Sequence, residues 1–282
     1  MELTEKQQDL LQKLANLIVY GHNQLSKLEL KKKKTSIRKK LLFFMFGATQ
    51  SYAESIFKIM SPTKNHTSIY ANSALILLRS ITENLINLGW IYACNSQRNA
   101  AVFHLDFLQS TLKYAKRYKE LMIKYRKEKY PKWDLTFGDK KKADDWDEYI
   151  GLLKKVIQKG QKRYKLQPDT QLPPIEQRCI QHDDYLRAKG KLTQGNSLEK
   201  LYVTFYPYFS GIAHLTSQGL DTFRNRLTDD MTIDSHPNEI EALVPVTYAV
   251  YFAMLEMCLK QFKAYDRVGM KEYRAIAKSM LY

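Results

Sequence analysis

The chain has 282 residues, 44% of them apolar and 26% charged, a length and balance that permit a buried core without disulfides and exclude wholesale disorder. Lysine and arginine exceed aspartate and glutamate by 45 to 29, a formal net charge of +16; this draws polyanions such as RNA, DNA or anionic lipid, although a lysine-rich soluble surface gives the same count. Cys94, Cys179 and Cys258 are odd in number and far apart, which argues against a disulfide frame or zinc site and suits reduced thiols that act as small core hydrophobes.

MELTEKQQDLLQK carries charges where a signal peptide has its apolar region, so no export signal is expected. ALVPVTYAVYFAMLEMCL contains Glu256 and falls short of the ~20 clean apolar residues of a membrane span. The expectation is a cytoplasmic protein with no membrane partner.

Apolar residues recur at helical spacing nearly throughout, and no stretch alternates with period two for long enough to need a sheet. The expected fold is all-α, a bundle of about eight or nine helices around one elongated core, forming a single domain over 1–282 with a candidate subdivision into 1–165 and 166–282. Thr4 and Gln7 form a capping box for a first helix, whose buried stripe is Leu10, Leu11, Leu14, Leu17 and Ile18. It runs into KKKK, 31–34, read as a solvated turn. A second helix spans about Ser36 to Met60 and is broken by Pro62. A third covers about Ser68 to Cys94. A fourth starts near Ser96 and continues to about Lys129, with Tyr114, Tyr118, Met122 and Tyr125 at a spacing that points them inward; interleaved basic residues also suit a nucleic-acid platform. After the connector YPKWDLTFGDKKK comes a helix from about Asp144 to Lys159, then the proline-rich loop RYKLQPDTQLPP, where the candidate subdivision falls. Pro174 opens a short helix to about Lys189. Ser197 caps the next, which contains Pro207 and Gly211 and is expected to bend there. Pro237 opens a helix to about Tyr265, and an amphipathic helix closes the chain.

The third helix poses a question of charge. In LLRSITENLINLGW, Leu75, Ile86 and Trp90 point the same way as Arg79, Ile76 lies just past Glu83, and Leu77, Ile81, Leu85, Leu88 and Tyr92 cover the other side. A helix apolar all round is expected to be buried all round, so Arg79 and Glu83 need partners. Arg before Glu is the less favourable order for an i,i+4 pair, which leaves room for a third group. A later helix offers Ser210 and His214, again one turn apart among Leu201, Phe205, Phe209, Ile212 and Leu215. Arg79, Glu83, Ser210 and His214 are therefore expected to form one buried polar cluster. It is either a structural network that fixes helix register or a pocket for something polar.

The order R-x-x-x-E on an apolar helix, a long charged helix, then Y-x-x-x-S-x-x-x-H, here Arg79, Glu83, Tyr206, Ser210 and His214, resembles an uncharacterised bacterial all-helical family of unknown function, DUF5677, over about residues 40 to 225. The resemblance implies an all-α fold, a bacterial or phage-related setting and a clustering of those polar positions. It lends no activity. R-N-A-A-V-F-H, Arg98 to His104, more weakly resembles the motif of HEPN-type helical ribonucleases of toxin and defence systems, with Arg and His about four to six residues apart; a helix start with an exposed Arg and a semi-buried His reads equally well. Glu83 and Asn84 stand where a histidine four residues after Arg79 would be, so the third helix departs from that motif. HEPN-like sites often form across a homodimer, which makes a second copy or a partner protein of a defence system a candidate partner.

Metal-independent RNA cleavage needs an acid or base that titrates near neutrality and a cation for the phosphate. His214 suits the first task and Arg79 the second, with Glu83 orienting either of them and Ser210 beside the histidine; Arg98 and His104 are the alternative pair. The expected function is an intracellular effector that binds or cleaves nucleic acid, RNA foremost, as a candidate endoribonuclease of a phage-defence or toxin system. The alternative is a non-catalytic helical binding module or a sensor of a small anionic ligand such as a nucleotide. No cofactor and no metal is expected: there is no Gly-rich phosphate loop, G-x-S-x-G or H-E-x-x-H. Asp229, Asp230, Asp234 and His236 match no metal loop and read as solvated acids, and Asp144, Asp145 and Asp147 suit a helix N-terminus.

Overall fold

The structure is a computed structural model that describes residues 3–28, 36–61, 70–93, 96–127, 143–213 and 238–281. Among the described residues there are nine α-helices and no strand: α1 Glu5–Lys27, α2 Ile37–Met60, α3 Tyr70–Tyr92, α4 Ser96–Lys127, α5 Ala143–Tyr164, α6 Ile175–Ala188, α7 Leu198–Ala213, α8 Asn238–Gln261 and α9 Lys271–Leu281. The chain is an all-α multi-helix bundle. The lysine run 31–34, Pro62, Cys94, the connector 130–142, His214, Asp229, Asp230, Asp234, His236 and Pro237 lie outside the described residues, as do the side chains of Met122, Tyr125, Asp144, Asp145, Pro207 and Ser210.

Local chemistry sets the helix ends. At α1 the capping box is closed: Gln7 N donates to Thr4 Oγ1 at 3.3 Å and Thr4 N to Gln7 Oε1 at 3.1 Å. Ser36 caps α2 by accepting from Lys39 N. α5 continues to Tyr164, beyond the expected stop at Lys159. Gly160 is not a terminator but a place of close approach, where a β-carbon would come within 2.9 Å of Leu105 Cδ2. The helix ends where Lys165 turns left-handed (φ 51°) and Leu166 N reaches back to Gln161 O. α8 closes the same way and earlier than expected, with Lys263 at φ 59° and Ala264 N donating to Leu259 O.

The chain divides into two compact units, 1–94 with 174–282, and 95–173. Where the sequence suggests one core and a candidate break at 165/166, the contacts place breaks at 94/95 and 173/174, the latter still within the proline-rich loop. In the first unit α8 is the central helix, packed on α1, α2, α3 and α9. Val244, Tyr248, Tyr251, Met254 and Leu255 are fully buried. α8 is long and apolar enough to cross a membrane by length and composition, and 67% of that apolar window is buried within the protein. Cys179 and Cys258 are free buried thiols, as expected of small core hydrophobes.

The second unit is a hairpin of α4 and α5. Leu105 meets Gly160, Tyr118 meets Trp146 and Lys119 pairs with Asp147; later positions on one helix face earlier positions on the other, so the two run antiparallel. Ala115, Ile150 and Leu153 form the buried centre, with Leu108, Leu112, Trp146 and Tyr149 around it. The inward stripe of α4 is therefore not the tyrosine row. Tyr114 is 64% exposed, and its ring lies against that of Tyr118, which in turn packs on Trp146.

Candidate functional site

The site is positioned by the way α7 is anchored. α3 packs on both α6 and α7. Trp90 Nε1 donates to Gln181 Oε1 at 2.7 Å, and Arg178 donates to Asn87 Oδ1, which fixes α6 along α3. Gly89 admits Leu198: a β-carbon there would stand 2.5 Å from Leu198 Cδ1. Asp183, fully buried on α6, caps α7 from outside. It accepts from Ser197 Oγ at 2.6 Å, Leu198 N at 2.9 Å, Glu199 N at 3.1 Å and His182 Nδ1 at 2.8 Å. Burial pushes the Asp183 carboxyl up, but the donors from Ser197, His182 and the two backbone amides outweigh it and hold it below the ordinary value.

About two turns along α7 from this anchor, Tyr206 arrives over Arg79. Arg79 Nε donates to Glu83 Oε1 at 2.9 Å, Arg79 Nη2 donates to the Tyr206 hydroxyl at 3.2 Å, and that hydroxyl donates to Glu83 Oε1 at 2.8 Å. The guanidinium also lies over the Tyr206 ring, 5.3 Å from its centroid, and Tyr202 stacks on the far side at 4.9 Å. Burial disfavours the Arg79 cation, yet the bonds from Tyr206 and Glu83 leave its pKa above the ordinary value. Burial raises the Tyr206 phenol and the bond to Glu83 raises it further, so the hydroxyl is a donor and not a base near neutrality.

The expected full burial of the pair is corrected. Leu75, Ile86 and Trp90 are buried, but Ile76 is exposed, and Arg79 and Glu83 keep 18% and 34% of their side-chain surface. α3 has one face open to water, and the charged pair sits at its border. α7 does face α3, and the third group the pair needs is Tyr206, which the expected cluster did not include. The Ser210 side chain and His214 fall outside the described residues. Arg98 is exposed and His104 half-buried on α4; six residues apart on one helix, they point ~120° apart around the axis, so a single helix does not aim both at one point. No group of three metal-capable side chains occurs among the described residues.

Charge is concentrated elsewhere. Residues 95–173 hold 19 lysines and arginines against 10 aspartates and glutamates, an excess of nine out of the chain's sixteen. Lys113, Lys116, Arg117 and Lys124 on α4, and Lys154, Lys155, Lys159, Lys162 and Arg163 on α5, are all exposed.

Residues 39–232, more than two thirds of the chain, match a family of unknown function, DUF5677. The chain belongs to DUF5677. The match starts inside α2 and runs past α7, so the DUF5677 segment contains Arg79, Glu83, Tyr206 and the whole basic hairpin. No curated protein and no solved structure matches the chain.

Proposed function

We propose that this DUF5677 protein is a cytoplasmic helical effector that binds nucleic acid, RNA foremost, through the basic hairpin α4–α5. The observation that carries the reading is the charge distribution: more than half of the net positive charge lies on 79 residues, and its cations on both helices are in water rather than paired inward. Such a surface neutralises phosphates and releases counterions, so affinity has to fall steeply with salt. Fluorescence anisotropy of a labelled RNA is expected to give binding at ~50 mM salt that weakens at least about tenfold at ~200 mM. Absence of binding at the lower salt removes the reading.

A second reading is favoured by the Arg79 centre: a metal-independent endoribonuclease of HEPN character in a phage-defence or toxin system. A guanidinium held permanently cationic at the border of solvent can stabilise charge on a phosphate while Glu83 and Tyr206 fix its orientation. His214 would supply the titrating group and Ser210 a hydroxyl one turn away; Arg98 with His104 is the alternative set. RNA degradation in excess chelator separates these, with wild type, Arg79→Ala, His214→Ala and His104→Ala each checked for folding. Folded but inactive Arg79 and His214 variants support the first set, and loss in His104→Ala alone supports the second. Unfolding of Arg79→Ala makes the centre a structural clamp. Thermal stabilisation by nucleotides without any cleavage favours a small-ligand sensor.

A further inference from the structure

Positive charge alone does not explain the hairpin's surface, because its exposed sector also carries large apolar side chains. Phe107 and Tyr114 are 62% and 64% exposed, and Leu121, Leu152 and Val156 are exposed as well. At ~100° per residue, Phe107, Tyr114 and Leu121 fall within ~40° of one another on α4, and Lys113, Arg117 and Lys124 fall within another ~40°, the two rows ~80° apart. An apolar row thus runs beside a basic row. On α5, Leu152 and Val156 are displaced from the Ile150–Leu153–Ile157 packing side in the same rotational sense. An antiparallel pair is related by an approximate two-fold axis normal to the hairpin, so residues displaced in the same sense emerge on the same side. The hairpin therefore has one broad side with an apolar and aromatic centre, and rows of lysine and arginine at its edges.

Resting on the nucleic-acid reading, we infer that this side binds single-stranded RNA, with unpaired bases stacked on Phe107 and Tyr114 and phosphates held by Lys113, Arg117 and Lys124. Charge complementarity requires a polyanion, and the exposed rings require one with accessible flat apolar faces. A duplex hides its base faces and offers only phosphates and groove edges; a single strand offers both. The apolar row is also discontinuous. Phe107, Tyr114 and Leu121 recur every seventh residue, ~10.5 Å apart, with Ser110, Thr111 and Arg117 between them. Separate rings suit separate bases better than they suit immersion in lipid, which rewards a continuous apolar face.

The test uses the full chain and three probes at ~100 mM salt: a labelled 20-nucleotide oligouridine, an RNA duplex of the same length, and vesicles containing phosphatidylserine. The variants are Phe107→Leu with Tyr114→Leu, which keeps apolar bulk and removes the π faces, and Tyr114→Phe, which keeps the ring. Circular dichroism checks that each folds. Wild type is expected to prefer the single strand; the double leucine variant should lose at least about tenfold on oligouridine and little on the duplex, while Tyr114→Phe should retain wild-type affinity. Equal affinity for both RNA forms, unchanged by removal of the rings, overturns the single-strand inference and leaves the nucleic-acid reading standing. Binding to neither RNA overturns both, and vesicle binding in place of RNA binding assigns the surface to lipid.

Discussion

The hydroxyl of Tyr206 on α7 donates to Glu83 Oε1 on α3 at 2.8 Å, and the same oxygen accepts from Arg79 Nε at 2.9 Å. One carboxylate oxygen thus joins an intrahelical ion pair to a second helix. An Arg–Glu pair in the less favourable order becomes a three-membered network because a tyrosine completes it. Removal of the hydroxyl in Tyr206→Phe keeps the ring over Arg79 and deletes two bonds to charged groups. The expected loss is about 1–2 kcal/mol of stability in urea unfolding, with the all-α circular dichroism spectrum retained. An unchanged unfolding midpoint would show that the hydroxyl does nothing for the α3–α7 contact.

Asp183 gives the fold a dependence on pH with a definite sign. Its native pKa lies below the ordinary 3.8, so its contribution is fully present above that value and is lost as pH falls through the native pKa. Wild type and Asp183→Asn should differ by about 1–3 kcal/mol at pH 7. That gap is expected to stay level down to about pH 4 and to close below it. A gap that widens in acid would contradict the assignment of Asp183 as an ionised cap of α7.

Gly21 on α1 faces Tyr251. A methyl group there would overlap the buried Tyr251 hydroxyl, which is hydrogen-bonded to Gln50, and stand 2.9 Å from ring carbon Cζ. Gly21→Ala should therefore destabilise the first unit by about 1–3 kcal/mol despite the gain in helix propensity. Tyr251→Phe in the same chain removes the overlapping atom, and a double-mutant cycle should show part of the loss restored. Additive losses would place the strain elsewhere.

Burial pushes the thiols of Cys179 and Cys258 up to about 12. At pH 8 only about one in ten thousand of each is thiolate, so both should react with a disulfide reagent only after denaturation. Fast reaction of either in the native protein, located by peptide mapping, would contradict their place in the core.

What could be read in the sequence was local or periodic. Thr4 and Gln7 announce a helix start because both halves of the capping box lie within four residues, and Leu14 and Leu17 mark a stripe that periodicity alone identifies. Arg79 and Glu83 were legible as a pair in need of a partner. Tyr206 was not legible as that partner: a tyrosine in an apolar run reads as core, and only the anchoring of α7 by Asp183 brings its hydroxyl to the pair. That anchor is itself tertiary, formed between positions 14 residues apart across a turn. Tyr114 shows the complementary failure. Periodicity groups it with Tyr118 but does not say which stripe faces α5, and Leu108, Leu112 and Ala115 occupy that place. Gly160 reads as a helix end because glycine is a poor helix former; it is retained inside α5 because Leu105 needs the space.

The most direct test of nucleic-acid binding through the hairpin is the salt dependence of RNA affinity for wild type and for the triple variant Lys113→Gln, Arg117→Gln, Lys124→Gln. All three side chains are exposed, so the thermal midpoint should barely move. If they meet phosphates, the slope of log K against log salt should become shallower by roughly 2, at about 0.7 per lost contact on a single strand. An unchanged slope and affinity in the folded variant would contradict the placement of the RNA on this row.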